Sequence, residues 1–217
     1  MEGIKLDWPR RALAAALASA GFVASADQVV FSEIMYHPPE GYPEYVEVAN
    51  LTATVFDMAG WAVSGGVDYH FPAFSEADPE RTFLQPFERI VLSGADPETT
   101  RTAYGIPSTV RIYGPWKGDL SNAGETLVLR DEIGTVLCRV SWSDRSPWPV
   151  EADGAGHSLT LRHPDRAIDD WRNWRASRRR LGTPGAEPIR ASREPVADPT
   201  ITETEGVVLV DYDAVWR

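Results

Sequence analysis

Cysteine and lysine are scarce in this sequence, and each scarcity limits what the protein can be. The 217 residues contain one cysteine, Cys138, which excludes an internal disulfide. Cys138 lies in a run of alternating apolar residues, so we interpret it as a small buried hydrophobe. A reactive thiol is the alternative, but no histidine or basic helix terminus is evident beside it. Lysine occurs only at Lys5 and Lys117, so most of the positive charge is arginine.

Positive charge is in deficit overall, because the net charge is −11. Nucleic-acid binding depends on clustered Lys and Arg at the phosphates, so this balance argues against a nucleic-acid partner. The one basic cluster comprises Arg172, Arg175, Arg178, Arg179 and Arg180, with Arg190 and Arg193 beyond it. We expect these arginines to pair with acidic side chains on the surface and to stack on Trp171 and Trp174. A patch for a polyanion is the alternative.

Motifs for catalysis are missing as well. The sequence has no GxSxG, P-loop, HExxH or paired-cysteine metal motif. Its four histidines, His37, His70, His157 and His163, are scattered along the chain. We therefore predict a protein that is not an enzyme, with no catalytic residues, no metal ligands and no cofactor. A secreted hydrolase built on two carboxylates is the remaining enzymatic alternative.

Three glutamates lie in or beside predicted strands: Glu33, Glu44 and Glu47. Carboxylates at strand ends could form a calcium site, but the DxDxDG-type spacing of calcium loops is absent. We expect these side chains on solvated strand faces and in turn contacts instead.

Aromatic residues, glycine and proline are abundant, with eight Trp, seven Tyr, seven Phe, 17 Gly and 17 Pro. Aromatic residues favour strands, and frequent turns are typical of an all-β sandwich. Alternating apolar residues predict strands, the clearest at 28–36, 44–50, 89–93, 126–130, 136–142 and 157–162. The DEIG sequence at 131–134 predicts a hairpin between the fourth and fifth of these.

The stretch 114–131 organises this pattern, because its glycines bend the chain just before a strand and present Trp116 over one end of the sandwich. Tyr42, Trp116 and Trp148 are the candidate contact residues for a ligand, since each lies in a predicted loop. The favoured interpretation is that they are lids on the core.

Both termini differ in composition from the middle of the chain. Lys5, Arg10 and Arg11 precede an apolar stretch at 12–24 and a small-x-small site at 24–26. This pattern predicts a Sec-type signal peptide at 1–26 and a secreted protein, extracellular or periplasmic. The apolar stretch is shorter than the roughly twenty residues that span a bilayer, so no membrane span is expected after cleavage. An uncleaved anchor is the alternative.

Residues 27–186 form the predicted sandwich domain. Residues 187–200 contain Pro188, Pro195 and Pro199 and are predicted to be a linker. Residues 201–217 are predicted to be either the start of a truncated further module or a disordered tail.

An ordered set of short motifs runs through the predicted domain. The motifs lie at 33–38, 44–50, 60–61, 114–125, 147–149, 152–159, 173–174 and 182–185. In order and spacing this set resembles the lamin tail domain, in the version found in secreted bacterial proteins, over residues 28–186. The resemblance implies an immunoglobulin-like β-sandwich.

The resemblance also implies a function, but no catalytic residues. Nuclear members of the family follow a coiled-coil rod and associate with chromatin, whereas this sequence has no heptad run. We therefore expect a non-catalytic binding or structural module of an exported bacterial protein, which contacts protein or glycan at the cell surface or other domains of its own polypeptide. The alternative is an accessory domain of a larger secreted hydrolase, phosphatase or spore-coat-kinase-like protein whose catalytic part lies outside this chain.

Overall fold

The computed structural model of the protein describes residues 28–188. The predicted signal peptide, residues 201–217 and most of the predicted linker lie outside this range. No helix within residues 28–188 combines the length and the apolar character needed to cross a membrane.

Strands dominate the described residues, with one α-helix and three short 3₁₀ helices between them. The 3₁₀ helices are Pro79–Arg81, Val150–Ala152 and Trp171–Asn173. The strands and the α-helix, in chain order, are β1 (Val29–Met35), β2 (Tyr45–Asn50), β3 (Phe56–Asp57), β4 (Ala62–Ser64), β5 (Val67–His70), β6 (Phe83–Leu84), β7 (Arg89–Ser93), α1 (Pro97–Tyr104), β8 (Ile112–Tyr113), β9 (Lys117–Gly118), β10 (Thr126–Arg130), β11 (Val136–Ser141), β12 (Leu159–Leu161) and β13 (Trp174–Ala176).

These strands form two facing sheets and a small third one. The larger sheet has the order β13-β12-β1-β2-β7-β8, and the facing sheet has the order β11-β10-β4-β5-β9. β3 and β6 form a two-stranded sheet. All pairings in the two large sheets are antiparallel except that of β7 with β8. The predicted all-β sandwich is confirmed.

Side chains between the two sheets form the main core. Val46 and Val48 of β2 and Leu127 and Leu129 of β10 are fully buried there, as their alternation predicts. Cys138 is buried in the same cluster, in agreement with its interpretation as a small hydrophobe. The hairpin predicted at 131–134 joins β10 and β11.

Two local details complete the architecture. Val136 alternates in phase with the buried Cys138 and Val140 but is 48% exposed, because it lies at the hairpin end of β11. Pro97, which suits the first position of a helix, begins the eight-residue α1. Asp96 caps it by accepting hydrogen bonds from the N–H groups of Glu98 and Thr99, which satisfies donors that the first turn leaves open.

A β-bulge interrupts the pairing of β1 with β2 and sets the direction of the side chains. The register shifts between Phe31, which is opposite Val48, and Glu33, which is opposite Glu47. The extra residue, Ser32, allows Phe31 to face the core while Ser32 and Glu33 both lie on the outer face of the six-stranded sheet.

Candidate functional site

The three candidate aromatic residues lie in three separate packing environments. Tyr42 is half-buried, and its ring meets Tyr104 edge-on, with ring centroids 5.5 Å apart. Trp148 is also half-buried, packs on the main core and lies 6.4 Å from the ring of Trp174. Trp116 is 6% exposed. Within the described residues no ring contact joins any two of the three.

Trp116 lies against the backbone of Gly94. A Cβ atom on Gly94 would approach the Trp116 Nε1 atom to 3.1 Å, so the indole packs closely on this glycine. The backbone N–H of Trp116 donates to the carbonyl of Ser93, whereas the buried indole Nε1 of Trp116 has no hydrogen-bond partner in residues 28–188. The indole therefore packs into the core cluster, and a ligand role for it remains a prediction.

The histidines do not converge. His37 Nδ1 lies 2.6 Å from Asp153 Oδ1, and His157 Nδ1 lies 2.7 Å from the carbonyl oxygen of Ser177. Across residues 28–188 no group of three or more His, Cys, Asp or Glu side chains is placed to hold a metal ion.

The prediction that Glu33 and Glu47 lie on solvated strand faces is wrong, since both are completely buried. The chain after β13 returns across the outer face of the six-stranded sheet and covers both side chains. We call residues 181–187 the strap. Glu44 does make the expected turn contact, because its Oε2 accepts a hydrogen bond of 2.8 Å from the N–H of Leu120.

Glu33 joins the strap to two strands of the sheet. Its Oε1 accepts from the Tyr45 hydroxyl at 2.8 Å, from the Ser158 hydroxyl and from the N–H of Thr183 at 2.9 Å. Its Oε2 bonds the Thr183 hydroxyl at 3.1 Å. Every oxygen of this buried carboxyl is thus satisfied, as burial requires.

Glu47 holds the next turn of the strap. Its Oε2 accepts from the N–H of Gly185 at 2.7 Å, and its Oε1 accepts from the Ser32 hydroxyl at 2.6 Å. Arg89 donates from Nη1 to the same Oε1 at 2.7 Å and from Nη2 to Glu187 of the strap at 2.6 Å. The strap is therefore fixed at three successive points across β1, β2 and β7.

Burial raises the pKa of Glu33, although four hydrogen bonds favour its charged form. Burial also raises the pKa of Glu47 to about 7, with Arg89 favouring the charged form and the nearby Glu33 opposing it. The hydroxyl of Thr183 can accept as well as donate, so Glu33 can hold a proton on Oε2 without losing a partner. Both carboxyls are closed off from solvent and bonded to the strap, and we call Glu33, Glu47 and their partners in the strap the latch.

Two glycines allow the strap to lie this close. Gly182 has φ +73°, and a Cβ atom there would overlap Glu33 Oε1 and the Tyr45 hydroxyl. Gly185 has φ +80°, and its Cβ would lie 2.6 Å from Val110 Cγ1. The GTPG sequence at 182–185 is thus required by the backbone conformation and by the space above the sheet.

Most groups of the latch lie in short sequence motifs, at 33–38, 44–50 and 182–185, but nothing within these motifs links one to another. The available signal is a charged residue inside each of two largely apolar strands, β1 and β2, a composition typical of strands buried on both sides.

The basic cluster is only partly used in contacts. The guanidinium of Arg172 lies 4.9 Å from the ring centroid of Trp171, as the predicted stacking requires, and pairs with Asp170 at 3.4 Å. Arg178, Arg179 and Arg180 are exposed, and no ion pair involves them within residues 28–188.

One solved structure with a similar arrangement is the crystal structure of a DUF4876 family protein from Bacteroides thetaiotaomicron VPI-5482. The two chains are 12% identical with a TM-score of 0.41, and the match covers 77% of this chain and 73% of the other. No match was found among the curated proteins.

Comparison with models of protein families also gives a match. The model of the Lamin Tail Domain matches residues 23–144, which is more than half of the chain. β12, β13 and the strap lie beyond the matched residues, although they supply the partners of Glu33 and Glu47. Lamin tail domains are immunoglobulin-like and non-enzymatic, and the two-sheet architecture agrees with that fold. This chain belongs to the lamin tail domain family.

Proposed function

We propose that this chain is a non-catalytic binding module of an exported bacterial protein, and that it contacts protein or glycan at the cell surface or outside the cell. Family membership supports the non-catalytic part of the proposal. The role of the buried acids supports it further, because Glu33 and Glu47 are fully engaged in holding the strap.

The observation that carries the binding role is the position of the two ends of the described chain. The carbonyl of Gln28 accepts a hydrogen bond from the N–H of Leu51, and Pro188 lines a cleft together with Leu51. Both ends therefore lie at one end of the sandwich, which we call the near end. The loop that follows β1, residues 36–44, and the turn at 114–125 lie at the opposite, far end, directed away from Gln28 and Pro188.

A binding test on the full chain examines this proposal. Binding to defined neutral and acidic glycans and to intact bacterial cells is measured for the wild type and for Tyr42→Ala. Tyr42→Ala is expected to lose binding while its thermal unfolding is nearly unchanged. A matched control is Tyr69→Ala, which removes a half-buried tyrosine from β5. Wild-type protein that binds none of these probes would contradict the proposal.

Export has its own measurement. The chain is expressed in a bacterial host and the mature protein is recovered from the periplasm or the medium. Intact mass is expected to show an N-terminus at Asp27. Recovery of the full-length chain in the cytoplasm would overturn this part.

The second candidate function is that of an accessory domain beside a secreted catalytic module. The same near-end position of Gln28 and Pro188 favours it, since a module attached through one end leaves its remaining surface to a neighbour. Restoration of catalytic efficiency when this chain is added to such a module would support the second candidate over the first.

A further inference from the structure

We propose that an arginine-lined groove between the strap and the β12–β13 edge binds the carboxylate groups of an acidic glycan. This inference adds a second contact site to the proposed binding function, because the groove shares Leu51 and Pro188 with the near end whereas Tyr42 lies at the far end, and it names the ligand class of that site. The groove consists of two adjoining clefts that share Arg175 and Pro188. Its lining includes five arginines, the hydroxyl residue Thr160 and the acid Glu187; the arginines are Arg89, Arg162, Arg175, Arg178 and Arg179.

The charge of this region opposes that of the whole protein. Residues 162–180 contain seven Arg and three Asp, in a chain of net charge −11. Two of the three acids are engaged in ion pairs outside the groove, Asp170 with Arg172 and Asp169 with Arg139. A surplus of positive charge is thus concentrated along one edge of the sandwich, where it attracts anions.

The arginines are held on a fixed backbone. The N–H of Ser177 donates to the carbonyl of Ser158 at 2.8 Å, and the N–H of Leu181 donates to the carbonyl of Gly156 at 2.7 Å. Between these two anchors, the carbonyl of Arg179 accepts from the Ser177 hydroxyl at 2.7 Å and from the N–H of Gly182 at 3.1 Å. Arg178 and Arg179 therefore start from an ordered turn, which lowers the entropy lost when a ligand binds.

One arginine of the groove, Arg89, already binds a carboxylate, and one hydroxyl that lines the groove, that of Thr160, lacks a hydrogen-bond partner among the described residues. Glu187 of the strap places its carboxylate on Arg89 at 2.6 Å, while its side chain stays 65% exposed. The hydroxyl of Thr160, opposite Arg175 in the β12–β13 ladder, is buried and has no hydrogen-bond partner among the described residues. Guanidinium groups and a hydroxyl together match the oxygens of a uronic acid.

Trp171 adds apolar surface to the basic edge. It is 38% exposed at the start of the same edge, the guanidinium of Arg172 lies over its ring, and its exposed part is of the kind that packs on a sugar. Because the proposed function is exercised outside the cell, an acidic glycan is the anion that we assign. Single-stranded nucleic acid, whose bases also stack on aromatic rings, is the competing probe.

The test uses the full chain with polygalacturonate, neutral dextran and single-stranded oligothymidylate as probes. The variant R178Q/R179Q removes two groove charges, and R81Q/R145Q removes two exposed charges from the 3₁₀ helix Pro79–Arg81 and from the loop after β11. Wild type and the control variant are expected to bind polygalacturonate equally. Each exposed pair contributes modestly, so R178Q/R179Q should lose affinity by roughly five- to twentyfold. Raising the salt about threefold should weaken binding further.

Three results would overturn the inference. They are failure of wild type to bind polygalacturonate, equal loss in both double variants, and tighter binding to oligothymidylate than to polygalacturonate. Thermal unfolding checks that both variants are folded. If R178Q/R179Q still binds cells or a neutral glycan as wild type does, the groove is wrong but the proposed function stands. If wild type binds no probe and no cell, the proposed function fails as well.

Discussion

The two faces of the six-stranded sheet are both buried, but they are buried by different means. The inner face presents apolar side chains such as Phe31, Ile34 and Val46 to the opposite sheet. The outer face presents Glu33 and Glu47 to the strap, which supplies N–H groups and hydroxyls to them. The inner face is thus stabilised by the removal of apolar surface from water. The outer face combines hydrogen bonds that must all be made with a smaller apolar cluster, formed by Met35, Tyr45, Val91, Ile106 and Ile112.

Removal of the strap should have the largest effect, because only the outer face depends on it. A chain that ends after Arg180 leaves Glu33 and Glu47 without their strap donors, while Arg89 loses Glu187. The strap makes four hydrogen bonds to these three side chains, and each contributes about 1 kcal/mol, so urea unfolding followed by tryptophan fluorescence should show a loss of roughly 4 kcal/mol. A chain that ends after Pro188 is the control and should unfold like the full chain. Equal stability of the two would mean that the strap does not hold the sheet.

Gly182→Ala should come next. The alanine must adopt the positive φ of Gly182, and its Cβ atom must displace the carboxyl of Glu33. The expected loss of unfolding free energy is about 2–4 kcal/mol, from the left-handed backbone and from overpacking together. Gly134→Ala is the matched control, because Gly134 has φ +88° but nothing within 4 Å of the added atom. If the two variants lose the same free energy, the contact with Glu33 is unimportant.

Inner and outer faces also differ in how well the sequence predicts them. Alternation in 44–50 and 126–130 identified Val46, Val48, Leu127 and Leu129, because one apolar face against a core gives a period of two. The outer face gave no such signal. Its cover lies far along the chain, in residues 181–187, and the bulge at Ser32 breaks the period just where Glu33 begins to face the strap. A contact between the Glu33 carboxyl and a turn 150 residues later requires no recognisable pattern in the sequence of either segment.

Glu33→Ala and Glu33→Gln should separate hydrogen bonding from charge on the outer face. Alanine leaves the Thr183 N–H and the Tyr45 and Ser158 hydroxyls without an acceptor, so we expect a loss of about 2–3 kcal/mol. Glutamine keeps the acceptor at Oε1 and can donate to the Thr183 hydroxyl, so its loss should be under about 1 kcal/mol. Urea unfolding near neutral pH measures both. A glutamine variant as unstable as the alanine variant would show that the full negative charge is needed.

The pH dependence of stability should arise in large part on the outer face. Burial raises the pKa of Glu33 and brings that of Glu47 to about 7, so the folded state holds protons that the unfolded state releases. Their contribution is complete below the unfolded pKa and is lost as the pH rises through the folded values. The free energy of unfolding should therefore fall by on the order of 2 kcal/mol between about pH 5 and about pH 8.

Glu44, at the far end, contributes to the same decline, because burial raises its pKa to about 7 as well. The informative quantity is therefore the difference between wild type and Glu33→Gln, which should have the flatter profile. Parallel profiles for the two proteins would place the titration outside the latch.

The smallest effect should come from Ile34→Val on the inner face. Ile34 is fully buried in the main core, directly beside Glu33 in β1, but its side chain points to the opposite sheet. The loss of one methylene should cost about 1 kcal/mol. Because no titrating group changes partners, that loss should be the same at pH 5 and at pH 8 when both are measured by urea unfolding. A cost that varied with pH would mean that the two faces are coupled through β1, and that the bulge at Ser32 transmits the packing of the core to the strap.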